Sequence, residues 1–78
     1  MLATAGPARA TPADDFAQDA AFLQAAHQAN LAEIIGGRIA ERRGVSAQVR
    51  ELGARFVRDH TAMDAEVVAT AASGCGSS

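Results

Sequence analysis

Residues 49–67 read VRELGARFVRDHTAMDAEV, and their large apolar side chains are Val49, Leu52, Phe56, Met63 and Val67. Steps of three, four, seven and four residues place these side chains on one stripe of an α-helix. His60 fills the gap of seven residues in phase, so a titratable ring lies in the middle of the stripe. We therefore expect a long helix here, with His60 facing a neighbouring helix.

The composition of the whole chain also favours helices. Its 78 residues include twenty alanines and seven arginines, but no lysine, tryptophan or tyrosine. Alanine is the strongest helix former, and no segment alternates apolar and polar residues as a half-buried strand does. The sequence therefore predicts an all-α chain, small enough to be one domain or part of one.

Charge, hydropathy and cysteine usage exclude several classes of protein. The net charge is −2 and the arginines are interleaved with acids, so no basic stripe is available for nucleic acid. No run of 18 apolar residues exists, and we expect no transmembrane segment. Cys75 is the only cysteine and cannot form an internal disulfide, so we interpret it as incidental.

The first helix is predicted over residues 12–43. Thr11 can cap it, Pro12 suits its first position, and Gly44 ends it. One face carries Phe16, Ala20, Leu23, His27, Leu31 and Ile34. A second face carries Phe22, Ala26, Ala29, Glu33 and Ala40. Gly36-Gly37 interrupts the helix interior, and we expect it to mark a close contact with another helix.

The second helix is predicted over residues 47–72, with Ser46 as its cap. A connection of three residues makes the two helices adjacent and antiparallel, so residues 11–72 form a helical hairpin. Residues 1–10 are expected to be a disordered tail or the remnant of a signal peptide, because Ala8-Arg9-Ala10 has the form of a signal-peptidase site. Residues 73–78 are expected to be a disordered Gly/Ser tail.

This hairpin has too much apolar surface for two helices to bury. About fifteen large apolar side chains are worth roughly 1.5–3 kcal/mol each when fully buried. Ordering about sixty residues costs on the order of 1–2 kcal/mol apiece, and a hairpin covers only one side of each helix. The chain is therefore expected either to form a homo-oligomer, most simply a dimeric four-helix bundle, or to be half of a longer bundle.

Several segments resemble the first half of the bacterial domain-of-unknown-function family 4142. They are Asp14-Asp15-Phe16, Leu31-Ala32-Glu33-Ile34, Gly36-Gly37 with Ile39-Ala40, and Val49 to Val67 around Phe56-Val57-Arg58-Asp59-His60. The resemblance covers about residues 11–72. It implies a ferritin-like four-helix bundle in a periplasmic, outer-membrane or otherwise extracytoplasmic location, with no agreed activity. The resemblance implies a second pair of helices, whereas after Ala72 this sequence continues only with Ser-Gly-Cys-Gly-Ser-Ser.

Both histidines are candidate metal ligands. Counted outward from a turn near Val45, His27 lies 18 residues back and His60 lies 15 residues on, an axial offset of about 4.5 Å. With Asp64 or Glu33 they could bind iron, zinc or copper. However, the Glu-x-x-His motif of ferritin-like di-metal sites fails, because Val57 stands three residues before His60. We therefore favour a structural role, in which both histidines are buried polar residues hydrogen-bonded to nearby groups, for instance His60 to Asn30.

No catalytic arrangement is recognisable in the sequence. Ser46 and Ser73 have no base beside them, and Cys75 has no histidine within reach along the chain. We therefore predict a non-enzymatic, extracytoplasmic binding or structural module, which needs no cofactor and whose protein partner the sequence does not identify. The alternative is a ferritin-like metal-binding or redox bundle that uses the histidines and carboxylates.

Overall fold

The computed structural model describes the backbone of residues 11–76 and the side chains of residues 11–74. This part of the chain consists of α1 (Pro12–Arg43) and α2 (Ala47–Gly76), joined by residues 44–46. The two helices pack against each other as a hairpin, and the described residues contain no strand. The predicted all-α fold is confirmed.

The first turn of α1 is held by a reciprocal pair of hydrogen bonds. The Asp14 N–H donates to Thr11 Oγ1 at 3.1 Å, and the Thr11 N–H donates to Asp14 Oδ2 at 3.4 Å. Pro12 occupies the first helical position, where a backbone N–H would have no helical partner. This capping box fixes the start of α1 where the sequence predicts it.

The connection between the helices is stabilised from both sides. Gly44 is extended, with φ −60° and ψ 135°, and its N–H donates to the Ala40 carbonyl at 2.8 Å. On the other side, Ser46 Oγ accepts the Val49 N–H at 3.1 Å, which confirms the predicted cap. Arg50 Nη1 donates to the carbonyls of Gly44 and Val45 at 3.0 and 2.9 Å. The turn is therefore closed by a side chain that the sequence pattern did not single out.

The helices approach most closely where two glycines face each other. A Cβ added to Gly53 would lie 2.5 Å from the Gly37 carbonyl oxygen, and a Cβ added to Gly37 would lie 2.8 Å from the Gly53 oxygen. We call this contact the glycine crossing. The close contact predicted at Gly36-Gly37 is thus real for Gly37, whereas a Cβ on Gly36 meets no atom of the described chain within 4 Å.

Most of the large apolar side chains lie outside the seam between the helices. Ile34 is the one buried apolar side chain among the described residues, at 9 % exposure. Leu52 and Met63, from the stripe predicted to face the partner helix, remain 49 % and 52 % exposed. At the glycine crossing the backbones lie so close that only Gly37, Gly53, Ala40 and the nearest atoms of Phe56 and Val57 fit between them, and most of the α2 stripe turns to one side. The hairpin therefore has almost no core of its own.

The second helix is longer than the sequence pattern predicts. It ends at Gly76 rather than at residue 72, so residues 73–76 of the expected tail are helical. The hydroxyl of Ser73 donates to the Ala69 carbonyl at 3.0 Å, a hydrogen bond that the helical backbone accommodates. The rest of the predicted tails, residues 1–10 and 77–78, lies outside the described residues. Neither α1 nor α2 contains a stretch both long and apolar enough to cross a bilayer.

Candidate functional site

The principal polar contact between the helices joins His27 of α1 to Asp64 of α2. His27 Nδ1 lies 2.8 Å from Asp64 Oδ1 and 2.9 Å from Oδ2. The Asp64 side chain is 14 % exposed and that of His27 is 38 % exposed, so the contact lies mostly out of water. Because a carboxylate only accepts hydrogen bonds, the Nδ1–H of His27 is the donor. The other ring nitrogen, Nε2, then carries no proton when the imidazole is neutral and can accept a hydrogen bond.

Asn30 supports the same carboxylate from one turn further along α1. Its Nδ2 donates to Asp64 Oδ1 at 3.4 Å, a long hydrogen bond, and the residue is only 5 % exposed. His27 and Asn30 are three residues apart, so both side chains project from the same side of the helix. Asp64 therefore receives two donors from α1. We call His27, Asn30 and Asp64 the polar cluster.

His60 makes its hydrogen bond within its own helix. Its Nδ1 lies 2.9 Å from the Phe56 carbonyl oxygen, which can only accept, so Nδ1 carries the proton. The His60 ring also lies against the Phe56 ring, with centroids 5.3 Å apart. The predicted hydrogen bond from His60 to Asn30 is therefore wrong. Asn30 instead donates to Asp64, because a hydrogen bond to a charged acceptor is stronger than one to a neutral ring nitrogen.

The structure brings together two of the four candidate metal ligands. His27 and Asp64 are in contact, but both Asp64 oxygens face the same imidazole nitrogen. Glu33 is exposed and lines a groove that includes neither of them. Within the described residues, no group of three or more His, Cys, Asp or Glu side chains is placed to hold a metal ion. A site using His60, His27, Asp64 and Glu33 together would need a rearrangement or ligands from elsewhere.

One side of the hairpin presents a continuous apolar surface, which we call the open face. On α1 its positions follow one another at spacings of three and four: Phe22, Ala26, Ala29, Glu33, Gly36 and Ala40. On α2 it includes Val49, Leu52, Phe56, Met63 and Val67. Two grooves, of about 180 Å³ near the turn and about 460 Å³ nearer the helix ends, run along it. The second face predicted for α1 is therefore the surface that the hairpin leaves uncovered.

Two features of this arrangement were missed by sequence reasoning. Gly53 was not recognised as the partner of Gly37, although a lone glycine within a strong helical stripe is a signal for close backbone approach. Asn30 was considered only as a partner of His60, although it is the most buried polar residue described. A buried amide needs a partner, and Asp64, one turn beyond His60, was the available carboxylate.

Comparison with known proteins gives one match. Residues 3–75 match the family model described as "Domain of unknown function (DUF4142)". No curated protein and no solved structure matches the chain. The match covers nearly the whole sequence and agrees with the resemblance seen in its motifs.

Proposed function

We infer that this chain, which belongs to the DUF4142 family, is a non-enzymatic docking module of the extracytoplasmic envelope that binds helical partners through its open face. The observation that carries the proposal is the exposure of this face. Phe22, Leu52 and Met63 are 69 %, 49 % and 52 % exposed, yet they lie side by side with Val49 and Phe56 along one surface. Contiguous apolar surfaces of this kind mark interaction sites.

The free energy available on this face is large for such a small chain. Complete burial of a large apolar side chain is worth about 1.5–3 kcal/mol, so covering the exposed half of one gives roughly 1 kcal/mol. The four large side chains of the open face that are about half exposed or more, Phe22, Val49, Leu52 and Met63, then supply several kcal/mol. Small domains are stable by only about 5–15 kcal/mol in total, so docking would decide whether the hairpin is stably folded. A helix pair is the natural occupant because ridges of side chains on helices pack into such grooves.

In-cell photo-crosslinking tests whether the open face is used. A photoreactive amino acid replaces Leu52 in one strain and Ile39 in a matched strain. Ile39 is 57 % exposed but lines a different surface, beside Arg38, Arg42 and Arg43. We expect discrete cross-linked products from position 52, which disappear when Phe22→Glu is added, and none from position 39. Equal cross-linking from both positions, or none from position 52, would contradict the docking function.

The extracytoplasmic location is a proposal that rests on the family resemblance of the motifs described above. It is tested by fractionation of the producing bacterium, with antibody detection of the untagged protein. We expect the protein in the osmotic-shock or envelope fraction. Recovery of the protein with cytosolic enzymes would contradict this part of the proposal and leave the docking function untouched.

A second candidate function, metal binding, is favoured by the orientation of the His27 ring. Histidines that bind metals usually donate their other ring N–H to a carboxylate or a backbone carbonyl. His27 donates Nδ1–H to Asp64 and His60 donates Nδ1–H to Phe56, so both present Nε2 as an acceptor when neutral. Additional ligands would have to come from a partner or from a rearranged Glu33.

Metal binding is tested on protein purified without chelators. Elemental analysis and titration with ferrous iron, zinc and copper are compared for the wild type, His27→Ala and His60→Ala. Stoichiometric binding that either substitution weakens at least tenfold supports the site. Sub-stoichiometric metal that neither substitution changes would remove this candidate function.

A further inference from the structure

Charge is divided unevenly along the hairpin. The turn half, residues 33–59, carries six arginines and four acids, a net charge of +2. The free-end half, residues 11–32 and 60–76, carries five acids and no arginine, a net charge of −5 with neutral histidines. Two copies laid antiparallel place each turn half beside a free-end half. Two parallel copies place like charges side by side, which opposes association.

The shape of the open face also differs between the turn half and the free-end half. In the turn half, Gly36, Gly37 and Gly53 line a groove of about 180 Å³. The space above Gly36 is open, since a Cβ there meets no atom of the described chain within 4 Å. In the free-end half, Phe22 and Met63 project from the surface and are 69 % and 52 % exposed. Both halves therefore carry a groove, and the larger one, of about 460 Å³, lies in the free-end half. Only the groove of the turn half is lined by glycines, whereas Phe22, the most exposed large apolar side chain of the open face, lies in the free-end half.

We infer that the occupant of the open face is a second copy of this chain, docked antiparallel. Phe22 and Met63 of each copy then pack over the glycine-lined groove of the other. This inference rests on the proposed docking function and names its partner. The charge division comes from the sequence and the surface shape from the structure, and both favour the same orientation.

The positions of Phe22 and of the glycine-lined groove along the helix axis agree with this arrangement. On α1, Phe22 lies nine residues from Leu31 towards the free end, and Ala40 lies nine residues from Leu31 towards the turn. A two-fold axis near Leu31 therefore brings Phe22 of one copy to the level of Ala40, which lines the groove of the other. A cavity of about 150 Å³ can hold benzene. The groove, at about 180 Å³, has room for a phenylalanine ring.

Of the two acids on the open face, Glu66 favours the same orientation. Glu66 lines the open face in the free-end half, and Glu33 lines it close to the middle. Both side chains are exposed in the single chain, and Glu33, close to the two-fold axis, does not distinguish the two orientations. In the antiparallel arrangement, Glu66 lies at the level of the turn half of the second copy, whose net charge is +2. In a parallel arrangement it would meet the acidic half, with no compensating charge.

Sedimentation equilibrium of the 78-residue chain tests whether a second copy of the chain occupies the open face. We expect a dimer at tens of micromolar protein. Gly36→Leu fills the groove and Phe22→Ala removes the projecting ring, so each should raise the dimer Kd at least tenfold. Ile39→Ala, away from the open face, should leave the Kd unchanged. Leucine favours helix over glycine, so weaker association of Gly36→Leu would not come from a lower helix propensity.

Spin-label distances test the orientation. A label at Ala47→Cys, in a Cys75→Ser background, lies near the turn and thirteen residues from the level of His60. In an antiparallel dimer the two labels are about 40 Å apart, because each residue rises about 1.5 Å. In a parallel dimer they are within about 20 Å, which corresponds to two interhelical spacings.

The possible outcomes separate this inference from the proposed function. A dimer with labels about 40 Å apart and a Gly36→Leu defect supports the inference. A dimer with labels about 20 Å apart, or one that Gly36→Leu does not weaken, overturns it but leaves the docking function standing. A monomer that melts cooperatively also overturns it. Cross-linking at position 52 to a protein other than this chain would then still support docking, whereas its absence would remove both.

Discussion

The two helices are held together by opposite means at two levels of the hairpin. At the glycine crossing, Gly37 and Gly53 bring the backbones together because they have no side chains. At the polar cluster, His27 and Asn30 reach across to Asp64 with hydrogen bonds. The energy of dispersion contacts at the crossing depends on distance but little on direction, whereas that of hydrogen bonds depends on both distance and direction. The crossing therefore sets how close the helices lie, and the polar cluster sets their axial register.

The largest effect is expected when the crossing is blocked. In Gly53→Ala the new methyl group meets the backbone of Gly37 and Glu41 at 2.5 Å, so the helices must separate. We expect a loss of up to about 3 kcal/mol in unfolding free energy, as for overpacked cores. Urea denaturation followed by circular dichroism measures it.

Gly36→Ala is the matched control for this substitution. Its methyl group meets no atom of the same chain, and alanine favours the helix by up to about 1 kcal/mol, so the midpoint of unfolding should rise when it is measured on protein too dilute for a second copy to dock. If Gly53→Ala were as stable as Gly36→Ala, the crossing would not control the separation of the helices.

A smaller effect is expected when the polar cluster is broken. Asp64→Ala leaves the buried Asn30 amide without its acceptor and His27 without its partner. A buried polar group that loses its hydrogen bond costs about 1–3 kcal/mol, so we expect a loss of about 2 kcal/mol. Asp59→Ala is the control, because the Asp59 side chain is exposed and its ion pair with Arg58 is long, at 3.7 Å. This substitution should change the unfolding free energy by less than about 0.5 kcal/mol. Equal effects at the two aspartates would contradict the assigned role of Asp64.

The smallest effect is the coupling inside the polar cluster. A double-mutant cycle of His27→Ala and Asp64→Ala should give an interaction free energy of about 1 kcal/mol, because the two side chains are in contact. The parallel cycle of His60→Ala and Asp64→Ala should be additive to within about 0.5 kcal/mol, since His60 bonds to the Phe56 carbonyl instead. Strong coupling of Asp64 to His60 rather than to His27 would reverse the assignment made from the structure.

The ends of the helices could largely be predicted from the sequence because capping is local. Thr11 with Asp14, and Ser46 with the Val49 N–H, are contacts over three residues, and their chemistry is visible in the residue types. The same locality explains the antiparallel hairpin, which follows from a connection of only three residues. The end of α2 was predicted too early, since Ser73 and its neighbours were interpreted as a tail although they are compatible with a helix.

The rotation of each helix about its own axis could not be predicted in the same way. Five large side chains of α2 share one stripe, and the hydrophobic pattern alone favours placing that stripe against α1. The structure instead uses Gly37 and Gly53, sixteen residues apart in sequence, and turns Leu52 and Met63 outward. Nothing local to either glycine reveals this pairing, because it depends on backbone shape at a distant position.

The candidate site was predicted in part. Counting from Val45 places His27 at the level of residue 63, and its partner Asp64 lies nineteen residues beyond Val45. The predicted axial register of the two helices is therefore nearly right. The apolar stripe, however, predicts that His60 is the residue facing α1. That stripe does not form the seam, so the carboxylate beside it makes the contact.

The glycine crossing also predicts an unusual pattern of mutational tolerance. In a saturation screen of this chain for folding, the most restricted positions should include Gly37 and Gly53, and Gly44 in the turn, which contribute no side chain at all. Bulky residues on the outer side, such as Ile39, should accept many replacements. For this hairpin the space that the backbone needs, rather than the size of a side chain, is what natural variation has to preserve.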